Sequence, residues 1–100
     1  MFAAIGYLTT KPKHATVSRN STITFICRSD TDYLIQWRFT PAYSSIESTR
    51  TINARVFSGY ARVDSNGTLH LYSVSKSDAG IYRCEDRDEA AFAELYVVGE

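Results

Sequence analysis

The stretch Asp78-Ala79-Gly80-Ile81-Tyr82-Arg83-Cys84, together with Cys27 and Trp37, decides the fold of this 100-residue chain. The tryptophan follows the first cysteine by ten positions, and a tyrosine precedes the second cysteine by two. These are the side chains that fill the space beside a disulfide joining two β-sheets. The spacing therefore predicts an all-β, two-layer sandwich with one inter-sheet disulfide, Cys27 to Cys84.

The composition limits the chain to one domain and excludes several functions. We expect residues 1–100 to form a single domain, with residues 1–6 flexible or derived from an expression vector, because so short a chain supports only one core. Eleven basic residues balance eleven acidic ones, so the sequence predicts no nucleic-acid partner. No apolar run reaches the roughly 18 residues that cross a bilayer, so we expect no direct membrane insertion by this segment.

The cysteines and two sequons indicate an oxidising compartment. The cysteines are 57 positions apart, too far for a zinc or dithiol motif, so we expect a structural disulfide. Asn20-Ser21-Thr22 and Asn66-Gly67-Thr68 are acceptors for N-linked glycans and lie in predicted turns. The sequence therefore predicts an extracellular location, as a receptor ectodomain or a secreted protein, with its leader and any anchor outside this segment.

Period-two alternation predicts five strands, each with one buried face. The predicted inward side chains are Ile23, Phe25 and Cys27; Ile35, Trp37 and Phe39; Leu69 and Leu71; Tyr82 and Cys84; and Ala93, Leu95 and Val97. The register breaks between residues 50 and 64, where two further strands are predicted near 51–56 and 61–65. Asn66-Gly67 predicts a hairpin turn after the second of these strands.

These residues resemble the immunoglobulin superfamily over nearly the whole chain. Cys27 and Cys84 are similar to the cysteines of strands B and F, Trp37 to the strand C tryptophan, and Tyr82 to the tyrosine corner. The resemblance implies an immunoglobulin-like Greek-key sandwich. Because the cysteine separation is short for a full variable-type domain, an intermediate-type or shortened variable-type domain is expected.

The resemblance also has implications for the two ends of the domain. Arg62 and Asp78 resemble the salt-bridged pair that closes the bottom of variable-type domains, so a bridge between them is expected. Residues 90–98 lack the Phe-Gly-x-Gly bulge of antigen-receptor joining segments. Pairing of two domains in the antibody manner is therefore not expected.

One sheet face is predicted to bind protein. Strands C, F and G are neighbours in immunoglobulin-like sandwiches, and the side chains alternating with the buried ones point outward. The predicted face has an apolar centre of Leu34, Ile81, Phe92 and Tyr96 and a rim of Gln36, Arg38, Arg83, Glu85 and Glu94. Aromatic and arginine-rich patches with polar rims are typical of interfaces. A protein ligand or a homodimer is the expected occupant, and an inert surface is the alternative.

The loops at one end of the sandwich form a second candidate site. The predicted loops are 29–33, 40–50 and 86–90, and their acidic residues are Asp30, Asp32, Asp86, Asp88 and Glu89. Such an acidic tip could meet a basic partner or a calcium ion. Alternatively, aspartate is there because it is a good turn residue.

No catalytic or metal-binding motif is found in the sequence. His14 is placed in an N-terminal loop and His70 is predicted to face solvent, and neither has a nucleophile or second ligand at suitable spacing. We therefore expect neither an enzyme nor a cofactor. Three functional classes remain. The first is a recognition module of an immune or adhesion receptor, and the second is a structural spacer in a tandem array, which includes intracellular muscle-type arrays. The third is a glycan-binding domain that uses Tyr33, Tyr43 and Tyr60.

Overall fold

The computed structural model describes residues 8–30, 35–42, 48–52, 60–87 and 89–99, which form a β-sandwich. Its strands are β1 (Leu8–Thr10), β2 (Ala15–Ser18), β3 (Ile23–Phe25), β4 (Arg28–Ser29), β5 (Gln36–Pro41), β6 (Arg50–Thr51), β7 (Tyr60–Val63), β8 (Leu69–Tyr72), β9 (Gly80–Glu85) and β10 (Ala90–Val98). A five-stranded sheet has the order β2-β10-β9-β5-β6. A three-stranded sheet, β3-β8-β7, and the pair β1-β4 form the rest. The predicted all-β sandwich is confirmed.

The disulfide joins the sheets at the centre of the core. Cys27, between β3 and β4, is bonded to Cys84 of β9, and both are fully buried. Trp37 of β5 is 1% exposed, and its indole N–H donates a 2.8 Å hydrogen bond to the carbonyl oxygen of Gly67. The indole therefore shields the disulfide while its only polar atom is satisfied.

The side chains predicted to point inward form this core. Buried residues include Phe25, Cys27, Trp37, Phe39, Leu69, Leu71, Tyr82, Cys84, Ala93 and Leu95, with Ile23, Ile35 and Val97 half-buried against them. The ring of Tyr82 stacks on Phe25 and Phe39, with centroids 5.3 and 4.7 Å apart. Inward alternation is thus confirmed on both layers, and it fixes which side chains are left to face solvent.

Tyr82 holds the corner before β9. Its phenol donates a 2.5 Å hydrogen bond to the main-chain carbonyl of Asp78, which ends a single 3₁₀ turn (Lys76–Asp78). Asp78 is 4% exposed, and its carboxylate accepts a 2.8 Å hydrogen bond from the amide of Ser75. The carboxylate is therefore used to cap the turn that leads into β9.

The predicted salt bridge between Arg62 and Asp78 is wrong. Among the described residues, the ion-pair partner of Arg62 is Asp64, at 3.5 Å. Strand register places Arg62 opposite His70 on the outer side of the three-stranded sheet, where it is exposed. The Asp78 carboxylate instead turns into the buried corner, so the two side chains do not meet.

The hairpin predicted at Asn66-Gly67 joins β7 and β8. The strands are antiparallel, with Val63 opposite Leu69, and Gly67 has φ +94°. The amide of Gly67 donates a 3.0 Å bond to the carbonyl of Asp64, which closes the turn. β7 spans Tyr60–Val63 rather than 61–65; of the strand predicted near 51–56, the structure describes β6, and residues 53–59 lie outside the described ranges.

Two N-terminal strands, β1 and β2, are absent from the sequence prediction. β1 pairs antiparallel with β4, and β2 runs parallel to β10 with Ala15 opposite Leu95. Ala15 and Val17 are only half-buried and alternate with polar residues. Short edge strands of this kind give a weak periodic signal, because few side chains enter the core.

Candidate protein-binding face

The outer side of β5, β9 and β10, here called the β5–β9–β10 face, brings together the side chains predicted to bind protein. The register aligns three rows across the strands: Gln36, Glu85 and Ala90; Arg38, Arg83 and Phe92; and Thr40, Ile81 and Glu94. Tyr96 continues β10 beyond the third row. Leu34 lies outside the described residues, so its predicted place on this face stays a prediction.

Exposed apolar side chains are concentrated on this face. Among the described residues, six large hydrophobic side chains are exposed, and four of them belong here: Ile81 (41%), Phe92 (57%), Tyr96 (54%) and Val98 (49%). Val98 was missed by the sequence prediction, although it continues the same alternation after Tyr96. The four, here called the apolar strip, lie along the outward side of β10 and at the start of β9, with Glu94 between Phe92 and Tyr96.

A charged cluster lies beside the apolar strip. Arg38 and Arg83 stand directly opposite each other on β5 and β9, a pairing of like charges that disfavours the sheet. Glu85 lies between them and accepts from Arg38 Nε at 2.8 Å, while Arg83 Nη2 lies 3.3 Å away. The Arg83 guanidinium also lies over the ring of Phe92, 5.5 Å from its centroid. One carboxylate thus serves two guanidinium groups.

Glu94 is the second carboxylate of the face. The phenol of Tyr96 donates a hydrogen bond to it, and this bond raises the pKa of Tyr96. The described residues provide no cationic partner within ion-pair distance of Glu94. Its main-chain amide donates a 2.8 Å hydrogen bond to Nδ1 of His14. The histidine that was predicted to lie in a loop directly precedes β2 and is thus bonded to the main chain of β10.

Two members of the predicted acidic tip, Asp86 and Glu89, make internal bonds. Asp86 accepts 2.8 Å hydrogen bonds from the Ser29 hydroxyl and from the amide of Glu89. Glu89 accepts from the amide of Leu8 at 2.6 Å and lies 3.3 Å from Lys11 Nζ. The Leu8 amide, together with Lys11, lowers the pKa of Glu89. These two carboxylates tie the β9–β10 loop to β4 and β1.

Of the remaining members of the acidic tip, the structure describes one. Asp30 is exposed, while Asp32, Tyr33 and Asp88 lie outside the described residues. Within the described ranges, no group of three or more His, Cys, Asp or Glu side chains could hold a metal ion. The tip therefore carries less support as a binding site than the β5–β9–β10 face.

His70 was predicted to face solvent, but in the structure it is half-buried and hydrogen-bonded. It lies on the outer side of the three-stranded sheet, where Nε2 is 2.8 Å from Asp64 and Nδ1 is 3.3 Å from the Thr24 hydroxyl. The hydrogen bond from His70 lowers the pKa of Asp64. The prediction was right about the side of the sheet but missed its neighbours, because these depend on strand pairing.

Comparison with known proteins places the chain in a family. A family model described as an immunoglobulin domain matches residues 7–86. The chain belongs to the immunoglobulin domain family. Domains of this family are generally non-catalytic binding or structural modules.

Solved immunoglobulin structures share this fold at low sequence identity. The I9-I11 tandem of titin has a TM-score of 0.70 at 22% identity, covering 94% of this chain and 33% of that one. Extracellular domains 3–5 of Drosophila OTK give 0.73 at 20%, covering 94% and 32%. The tandem Ig repeats of Dlar give 0.68 at 17%, covering 95% and 47%. This chain thus spans about a third of the first and second and about half of the third, and no curated protein matches its sequence.

Both sequons of this immunoglobulin domain lie off the β5–β9–β10 face. Asn20 is exposed in the turn between β2 and β3, and Asn66 is exposed in the β7–β8 hairpin. Asn66 Oδ1 accepts a 3.3 Å hydrogen bond from the amide of Thr68. Glycosylation of Asn20 and Asn66 stays a prediction. Within the described ranges, no helix is long and apolar enough to cross a bilayer.

Proposed function

We propose that this immunoglobulin domain is a non-enzymatic protein-recognition module of a cell-surface or secreted immune or adhesion receptor. It binds a protein partner, or a second copy of itself, through the β5–β9–β10 face. The observation that carries the proposal is the concentration of exposed Ile81, Phe92, Tyr96 and Val98 on one face. Contiguous apolar surface with arginines and a polar rim is what a protein interface requires.

The disulfide and the sequons support an extracellular location. A bond between Cys27 and Cys84 persists in oxidising compartments, and the asparagine of each sequon is exposed. Asn66 lies in the β7–β8 hairpin of the other sheet, and Asn20 follows Arg19, whose amide donates to the carbonyl of Val98. OTK extracellular domains and the Dlar repeats are similarly folded.

The alternative is a structural spacer in a tandem immunoglobulin array without its own ligand. The fold of the titin I9-I11 tandem favours this alternative as much as the receptor fragments favour recognition. The two functions make opposite predictions about the exposed apolar strip. A spacer gains nothing from it, whereas a recognition module loses its partner when the strip is disrupted.

Two isoleucines provide a matched test. Ile81 is 41% exposed on the β5–β9–β10 face, and Ile26 is 43% exposed just after β3 on the other layer. Wild-type domain, Ile81→Asp and Ile26→Asp, each displayed as a fluorescent multimer, would be applied to cells that each express one receptor ectodomain from a panel. We expect binding by wild type and Ile26→Asp and at least about a tenfold loss for Ile81→Asp.

Equal loss of binding for the two aspartate variants would contradict the assignment of the face. Binding by neither the wild type nor any variant, with all three folded by near-ultraviolet circular dichroism, would favour the spacer. Because the two isoleucines are similarly exposed, a general effect of an added surface charge on binding lowers the binding of both variants. The difference in binding between Ile81→Asp and Ile26→Asp therefore reports the role of the face.

A further inference from the structure

Four side chains on the β5–β9–β10 face form a block with a specific pattern. Arg83 stands opposite Phe92, and two positions along the same strands Ile81 stands opposite Glu94. The two charged residues therefore occupy one diagonal of the block, with opposite signs. The two apolar residues occupy the other diagonal. Such a block is complementary to a copy of itself.

We propose that the partner of this face is a second copy of the chain, which pairs about a twofold axis along the diagonal from Ile81 to Phe92. The inference rests on the proposed function of the face. Neighbouring strands are about 4.8 Å apart and alternate residues about 6.6 Å apart along a strand, so the block measures about 4.8 by 6.6 Å. Ile81 and Phe92 lie on the axis, and Arg83 and Glu94 lie on opposite sides of it. The axis brings Phe92 against Phe92 and Ile81 against Ile81, and it places each Arg83 against the Glu94 of the other copy.

The charges of the block are available for this pairing. Arg38 makes the shorter contact with Glu85, 2.8 Å against 3.3 Å for Arg83. Arg83 can therefore turn to another carboxylate, and in doing so it uncovers the ring of Phe92, over which it lies in the single chain. Glu94 has no cationic partner among the described residues, and its side chain lies beside the exposed ring of Tyr96. Each copy thus offers one cation and one anion to the other, and the dimer contains two equivalent ion pairs.

The apolar residues supply the contact area on the axis. Phe92 is 57% and Ile81 41% exposed, and both would be covered by their own counterparts. A diagonal axis makes the strands of the two copies cross steeply, which is nearer to the orthogonal than to the aligned mode of sheet packing.

Charge reversal tests the pairing directly. Arg83→Glu would bring two carboxylates together at both contacts, and Glu94→Arg would bring two guanidinium groups together. We expect wild type to show concentration-dependent dimerisation by sedimentation velocity between about 1 and 500 µM, and each variant alone to dimerise at least about tenfold more weakly. A mixture of the two variants forms a heterodimer, because the two carboxylates of one variant then face the two guanidinium groups of the other and both contacts pair opposite charges. The double variant Arg83→Glu/Glu94→Arg dimerises like the wild type.

Arg62→Glu is the matched control. It makes the same change in net charge on the outer side of the three-stranded sheet, so it should dimerise like the wild type and should not rescue Glu94→Arg on mixing. A dimer that is insensitive to Arg83→Glu, or a double variant that fails to recover, would overturn the inference. A wild type that stays monomeric throughout would also overturn it. In that last case the proposed function survives if Ile81→Asp still abolishes binding to a different ectodomain.

Discussion

At the scale of single residues, Tyr82 shows how one buried polar atom holds a corner of the domain. Its ring packs between Phe25 and Phe39 while its hydroxyl donates to the carbonyl of Asp78. We expect Tyr82→Phe to keep the ring packing and to lower the free energy of unfolding by about 1–2 kcal/mol, because a buried carbonyl loses its donor. Urea denaturation with an unchanged slope would measure this loss.

Tyr96→Phe is the control for the loss of a hydroxyl. Tyr96 is 54% exposed and its phenol bonds to the side chain of Glu94 at the surface, so we expect a change below about 0.5 kcal/mol. Equal effects of the two substitutions would contradict a special role for the corner.

The same hydroxyl of Tyr82 has a consequence at alkaline pH. Burial, with the nearby Asp78 carboxylate, raises the pKa of Tyr82 far above its usual range. The unfolded chain releases this proton near pH 10 and the folded chain does not, so the contribution to stability is complete below pH 10 and is lost as pH rises above it. The stability difference between wild type and Tyr82→Phe should therefore narrow above about pH 10 in urea titrations. A constant difference up to about pH 11 would show that this phenol ionises normally in the folded domain.

Which way a side chain points could be predicted from the sequence, but its neighbours could not. Trp37, Tyr82 and Leu95 were placed correctly because alternation is a local property of a strand. The bridge from Arg62 to Asp78 was predicted wrongly because its formation depends on which strand lies beside Arg62. The roles of Glu85 between two arginines and of His14 at the edge of β10 likewise follow from strand pairing.

At the scale of elements, the β7–β8 hairpin depends on Gly67. Its φ is +94°, and a Cβ there would lie 2.5 Å from the carbonyl oxygen of Cys27 and 2.7 Å from Ile35 Cγ1. We expect Gly67→Ala to destabilise the domain by more than about 2 kcal/mol, because both the backbone conformation and the close approach oppose a side chain. Chemical denaturation gives the value.

Gly99→Ala separates the two causes. Gly99 also has a positive φ, but its nearest neighbour for a Cβ is Arg19 Cγ at 3.6 Å. We expect a cost of about 1 kcal/mol or less there, from backbone strain alone. If Gly67→Ala costs no more than Gly99→Ala, the close approach to Cys27 and Ile35 does not matter for stability.

β1 is attached to the domain partly through a carboxylate. Glu89 accepts from the Leu8 amide and lies beside Lys11, and these contacts lower its pKa. A lowered carboxyl pKa contributes stability above the unfolded value, which is lost as pH falls below about 4. We expect the protection factor of the Leu8 amide, its intrinsic exchange rate divided by the observed rate, to fall at low pH, and exchange to be roughly three- to tenfold faster in Glu89→Ala than in the wild type at neutral pH. Glu94→Ala, whose carboxylate has no contact with β1, should leave that exchange rate unchanged.

The elements that the sequence predicted are those that bury a whole face. β5, β8, β9 and β10 each bury at least two alternating side chains, whereas β1 buries Leu8 alone and the inward residues of β2 are only half-buried. The candidate face followed from the same alternation, because outward residues are simply those between inward ones. Its self-complementary block did not, since the alignment of Arg83 with Phe92 and of Ile81 with Glu94 needs the register between β9 and β10.

At the scale of the whole molecule, the disulfide stabilises the domain mainly by reducing the conformational entropy of the unfolded chain. Cys27 and Cys84 close a loop over a separation of 57 residues, for which chain entropy predicts a contribution of about 4 kcal/mol. A domain of this size has a total stability of about 5–15 kcal/mol, so the bond is a large share of it. The β5–β9–β10 face exists only while the sheet is folded, so the binding proposed for it depends on this bond.

We therefore expect Cys27→Ala/Cys84→Ala to lose about 3–5 kcal/mol, with part of the loss arising from the space left by the sulfur atoms. Guanidinium denaturation with and without dithiothreitol measures it. Reductant should lower the midpoint of the wild type toward that of the double variant and leave the double variant unchanged. Because Trp37 packs against the bridge from β5, its fluorescence should report the transition in both proteins. A loss below about 1 kcal/mol would mean that packing around Trp37 and Tyr82 holds the layers together without the bond, and a reducing compartment would then be compatible with the fold.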